Sequence, residues 1–137
     1  MESAPERLRR TAPRHGTNRR AAGADEAFRA AIGSMAQQDR ELAERIHSVV
    51  SAAEPELVPR MWYGMPAWTK DGEVVCFFQP AGKFKTRYAT FGFQDVAHLD
   101  DGRMWPVAFA IAELTEEEEA RIAELVVRAV GGADTEP

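Results

Sequence analysis

The sequence predicts an α+β domain: an antiparallel sheet of about four or more strands, with N-terminal helices and a C-terminal helix packed mainly on one face. Three observations predict it. Apolar residues recur at helical spacing before residue 54 and after residue 115. Between Met61 and Ala112 the spacing changes to alternation, broken by Asp-Gly turn signals. The order is therefore helices, a run of strands, then a helix, with no internal repeat.

Residues 1–23 read as a disordered basic tail. They hold Pro5, Pro13, Gly16 and Gly23, and Leu8 is their one large aliphatic residue after Met1, too little apolar surface to offset the entropy of ordering. The domain proper is placed at 24–132, with 133–137 as a disordered C-terminal tail. Phe28, Ile32 and Met35 predict a short helix from about Asp25 to Met35. Leu42, Ala43, Ile46, Val49, Val50 and Ala53 mark a second, from about Asp39 to Ala53. The two are read as a pair rather than one bent rod. Glu54-Pro55 and Pro59 end the helical region.

Met61 to Phe93 holds two of the three tryptophans, both tyrosines and five of the seven phenylalanines. Met61 to Thr69 reads as one strand, at an edge or bulged where Pro66 removes a ladder donor. Asp71-Gly72 predicts a type I′ hairpin. Glu73 to Gln79 is apolar on both faces, which suits a central strand. Pro80-Ala81-Gly82 is a turn, and Lys83 to Phe93 reads as a third strand. Asp95 to Leu99 suggests a single helical turn, and Asp100-Asp101-Gly102 another turn. Met104 to Ala112 predicts a fourth strand, with Trp105, Val107, Phe109 and Ile111 opposite Pro106, Ala108, Ala110 and Ala112. That small row either admits a close helix or leaves space beneath a pocket. Thr115-Glu116-Glu117-Glu118 is a capping box, four glutamates suit the positive helix end, and Gly131-Gly132 is expected to stop the helix.

The charge is uneven. Residues 1–20 carry six arginines against Glu2 and Glu6, whereas the whole chain is −5, leaving −9 for the rest. An acidic domain repels phosphate backbones, so no nucleic-acid contact is expected of it. The single cysteine, Cys76, excludes an intramolecular disulfide and a multi-cysteine metal site and suits a reducing compartment. No apolar run is long enough to span a membrane, and the N-terminus has no signal-peptide core. The expected setting is cytoplasmic, without membrane contact.

No nucleophile elbow, phosphate loop or dinucleotide glycine pattern occurs, so no enzyme and no catalytic residue is expected. His15, His47 and His98 are scattered, and Cys76 sits among apolar neighbours where burial makes a thiol inert. Asp39, Glu41, Glu44, Glu54 and Glu56 either bind a hard cation weakly or form a solvated helix face, and the interleaved Arg40 and Arg45 favour the solvated face. As a strand, Lys83, Lys85 and Arg87 project to one face. Either this is an ordinary solvated face, or a basic and aromatic groove on the sheet that holds a small anionic or aromatic ligand or a partner segment. The groove residues are Tyr63, Met65, Trp68, Lys83, Lys85, Arg87, Tyr88 and Trp105. No cofactor is expected, and the chain is expected to be a monomer or weak homodimer.

WYGMPAW, a DG turn with VVCFF, KFKTRYATFGF, and LDDGRMWPVAFAIAELT together resemble the YdhG-like family of bacterial domains, over roughly Asp25 to Val130. The resemblance implies a compact α+β domain within the frataxin-like fold group. Some relatives are described as intracellular iron chaperones, and frataxins bind iron through exposed carboxylates. The alternative reading it implies is therefore an iron chaperone that binds iron weakly at surface carboxylates.

Overall fold

Two tight turns fold the aromatic segment into a meander. β1 (Val58–Trp62) and β2 (Met65–Lys70) are joined by Tyr63-Gly64, with φ of 51° and 79°. β2 and β3 (Glu73–Gln79) are joined by Asp71-Gly72, with φ of 53° and 84°. Paired left-handed residues give the turn the twist that matches the flanking strands. β4 (Ala89–Phe93) and β5 (Ala108–Ile111) complete a five-stranded antiparallel sheet in the order β1-β2-β3-β4-β5. The computed structural model describes residues 12–135.

Four helices accompany the sheet among the described residues: α1 (Ala12–Gly33), α2 (Gln37–Ala53), the single turn α3 (Ala81–Phe84) and α4 (Glu116–Thr135). α1 and α2 are indeed separate, broken at residues 34–36. α1 begins well before Asp25, so residues 12–23 of the expected tail are helical. Pro13 falls in the first turn, where its missing N–H costs nothing, and the alanine-rich run beyond it outweighs Gly16 and Gly23. Likewise α4 runs through Gly131-Gly132 to Thr135. The remainder of the two expected tails, 1–11 and 136–137, lies outside the described residues.

α4 starts as its capping box predicts. The Thr115 amide donates to Glu118 Oε1 at 2.7 Å, and the Glu117 amide to Thr115 Oγ1 at 3.3 Å. The Thr115 hydroxyl also donates to Glu118 Oε1, and this bond first, with the Thr115 amide second, holds the Glu118 carboxyl below its ordinary pKa.

One layer of helices covers one face of the sheet. Phe28 and Ile32 from α1, Ala43, Ile46 and Val50 from α2, and Ile122, Val126 and Ala129 from α4 form a single cluster with Trp68, Cys76, Phe78, Phe91, Phe93 and Ile111. Register explains the sheet's share: Trp68 lies opposite Cys76, Cys76 opposite Phe93, and Phe78 opposite Phe91. A bulge between Trp68 and Thr69 leaves Val75 without a partner, so Val75 and Cys76 are both buried. Arg45, expected on the wet face of α2, reaches across to Glu119 of α4, Nε to Oε2 at 2.7 Å.

Four expectations about strands are corrected. Met61–Thr69 is not one strand, because Tyr63-Gly64 turns the chain. β2 is not an edge: Pro66 is tolerated inside the sheet because pairing with β3 begins only at Ala67. Lys83–Phe93 is not a continuous strand, since α3 and an irregular segment precede Ala89. The fourth expected strand is also shorter, Ala108–Ile111, with Phe109 and Ile111 turned to the core and Ala108 and Ala110 exposed.

The opposite face brings Phe77 over Gly92. A Cβ built on Gly92 would meet the Phe77 ring at 2.5 Å. The Gly92→Ala substitution is expected to cost about 1–3 kcal/mol through overpacking. Urea denaturation would measure it, and in a double-mutant cycle with Phe77→Ala the two losses should fall well short of adding.

Candidate functional site

The site is assembled around a carboxylate that local pattern places on the surface. Asp39 lies in the first turn of α2, yet it is only 5% exposed. Its Oδ1 accepts from the Gly82 amide at 3.2 Å and its Oδ2 from the Lys83 amide at 3.0 Å. It thereby caps α3 from forty-three residues away, answering amides that a helix start leaves unpaired. This corrects its assignment to a solvated face, although Glu41 and Glu44 are exposed as expected. Gly82 permits the approach: a Cβ there would meet Asp39 Oδ2 at 2.8 Å.

From α3 the chain leaves through Lys85, which is left-handed with φ 59°. The Thr86 amide donates to Ala81 O at 3.0 Å, and Thr86 Oγ1 to Tyr88 O at 2.9 Å. These bonds hold a short segment on which Arg87 stacks over the Tyr88 ring, guanidinium to centroid 5.1 Å. The segment forms one wall of a cleft of about 770 Å³, with α2 and the end of β5 as the others. Lys85, Arg87 and Tyr88 line it beside Asp39, and Ala110 and Ala112 leave room at its base. The small row of the sequence thus borders a cleft. Neither Lys85 nor Arg87 makes an ion pair with a described residue, whereas the Asp39 carboxylate is occupied by backbone amides. The unanswered charge in the cleft is positive.

Of the eight groove residues expected from sequence, three meet here and five do not. Tyr63 is 82% exposed at the tip of the first hairpin, and Met65 lies half-buried beside it. Lys83 turns away from the cleft and donates from Nζ to Gly64 O at 2.8 Å, tying α3 to that hairpin. Trp105 is half-buried against the core. Trp68 is fully buried, so it is no wall of a groove. Its indole N–H donates to His47 Nδ1 at 3.1 Å, and Phe28 meets it edge-on with ring centroids 5.8 Å apart. Asp39, Gly82 and Thr86 were missed, because the contacts that give them their roles span α2 and α3 or depend on a turn that strand periodicity hides.

Burial pushes the Cys76 thiol far up, consistent with an inert core position. Among the described residues no group of three or more His, Cys, Asp or Glu side chains is placed to hold a metal ion, and no helix is long and apolar enough to cross a membrane. No known protein family, curated protein or solved structure matches this chain.

Two expectations follow. Asp39→Ala leaves two amides of α3 without their acceptor and should cost about 1–3 kcal/mol in chemical denaturation, with the amide resonances of residues 81–88 shifting most. The second concerns His47. Burial is the largest influence and holds its pKa below the ordinary 6.5; Asp25 opposes this and Arg29 adds to it. Protonation would also put a hydrogen on the nitrogen that faces the indole N–H. Between the folded value and 6.5 the unfolded chain binds a proton that the folded chain does not. Stability is therefore whole above about pH 6.5 and falls as pH drops through that value, the loss being complete below the folded pKa. Urea midpoints measured across that range should show the fall, and His47→Gln should flatten it.

Proposed function

We propose that this chain is a binding domain whose cleft between α2, the α3–β4 segment and the end of β5 holds an anionic group next to an aromatic surface. The observation that carries the reading is the convergence of Lys85, Arg87 and Tyr88 on one cleft whose only buried carboxylate is already satisfied by backbone amides. A carboxylate or phosphate entering it gains charge-assisted hydrogen bonds. The exposed Tyr88 ring offers a flat apolar contact for an aromatic or aliphatic body. The ligand class is thus a small anionic or aromatic molecule, or the acidic part of a partner segment. We place the chain with the YdhG-like domains on the strength of the ordered motifs between Trp62 and Thr115.

Benzoate and inorganic phosphate are suitable probes. Titrated into isotope-labelled protein, they should give saturable amide shifts centred on Thr86, Arg87 and Tyr88, weakening as ionic strength rises. The Lys85→Glu, Arg87→Glu double variant should abolish these shifts with little change in denaturation midpoint, because both side chains are exposed. Shifts that survive the charge reversal would overturn the assignment.

A further inference from the structure

The sheet's two edges are treated differently. α1 packs along β1, whereas β5 pairs with β4 alone. The bonding phase of β5 follows from one contact: the Phe93 amide donates to Val107 O at 2.7 Å. Antiparallel ladders alternate bonded and non-bonded pairs, so Phe91 with Phe109 and Ala89 with Ile111 are the bonded ones. The N–H and C=O groups of Ala108 and Ala110 consequently point away from β4. No other described residue bonds to them. The edge's one guard is shortness: within Ala108–Ile111 there is no charge and no proline, and both outward alanines are exposed.

Two clefts adjoin this edge and share Ala110 and Ile111. One is the cationic cleft above. The other, of about 310 Å³, lies against α4 and is walled by Phe91, Phe109, Ile122 and Leu125. Arg121 stacks over the Phe109 ring at 5.5 Å and Glu118 also lines this cleft, so it has an apolar body beside charges of both signs.

We propose that the β5 edge accepts an extended segment of a partner protein by strand addition. The segment's backbone bonds Ala108 and Ala110. One of its side chains, apolar, enters the α4 cleft; the next on the same face, acidic, reaches Lys85 and Arg87. Side chains on one face of a strand recur every second residue, and strand addition draws its affinity from the backbone and its specificity from such alternate pockets. The acidic requirement rests on the cationic-cleft reading; the backbone pairing does not. A second copy of this chain is a poorer occupant, because two molecules of formal charge −5 repel.

The test uses the full labelled chain and a pool of capped peptides, each with leucine, valine or phenylalanine followed two positions on by glutamate in a threonine background. Saturating peptide should slow amide hydrogen exchange at Ala108 and Ala110 about tenfold or more and leave the already bonded Phe109 amide little changed. Methylating the peptide backbone nitrogens that face β5 should remove this protection, as should Ala110→Pro, which deletes a donor the β4 ladder does not use. The peptide-side methylation keeps the test decisive should that variant fail to fold. Replacing the peptide glutamate by glutamine should weaken binding about tenfold. Absence of protection at Ala108 and Ala110 overturns strand addition, even where benzoate still binds at Arg87 and the cleft reading stands. Protection that survives Lys85→Glu, Arg87→Glu at full affinity overturns the acidic requirement, whereas the cleft reading stands or falls on the benzoate titration. Protection that rises with protein concentration alone, together with a doubled mass in sedimentation, assigns the edge to a second copy and overturns the partner.

Discussion

The cleft's geometry depends on one carboxylate. Asp39 binds the Gly82 and Lys83 amides, and this pins a single helical turn where the sheet would otherwise continue. A turn this short has little stability of its own, because helix nucleation fixes several dihedrals for one hydrogen bond. A partner from outside the segment is what makes it persist. Once α3 is pinned, Lys85 takes up the left-handed cap and Arg87 and Tyr88 are delivered to the cleft. Lys83, one position into the turn's end, is sent the other way, to Gly64. The same interaction therefore separates three cations that a plain strand would have lined up.

The parts of the fold legible in sequence are those whose causes are local. The Asp71-Gly72 turn, the Thr115 capping box and the apolar stripes of α2 and α4 each depend on residues within a few positions, and each is where the pattern puts it. Elsewhere the cause lies far along the chain. Strand periodicity through residues 83–87 was misleading because the competing force comes from Asp39. Tyr63-Gly64 escaped notice because a tyrosine with positive φ is uncommon, leaving Gly64 as the sole signal. Trp68 was misplaced for a different reason: a tryptophan suits a wet groove until a buried acceptor satisfies its N–H, and that acceptor sits on another helix. Of the candidate site, the charges and Tyr88 were visible, and so was the row of small residues on β5; the carboxylate that organises them was not.

The two faces of the sheet reach burial by different means. Helices cover one face, and its side chains pair across strands at close register. The other has no helix layer among the core residues, and there large rings do the covering: Phe77 lies across Gly92, and Trp62 packs on Phe77 with centroids 5.3 Å apart. Self-covering of this kind shields Ala67 completely, but it needs a vacancy opposite each ring. The size of residue 92 is thus set by its neighbour in the next strand rather than by its own backbone.

The bond between Trp68 and His47 also settles which proton the imidazole carries. An indole nitrogen only donates, so Nδ1 must offer its lone pair and the neutral ring keeps its hydrogen on Nε2. The one imidazole nitrogen not spent on the core is therefore a donor. In that tautomer His47 has no lone pair left to ligate a cation or to take a proton from a bound molecule, and its chemistry is confined to giving a hydrogen bond outward.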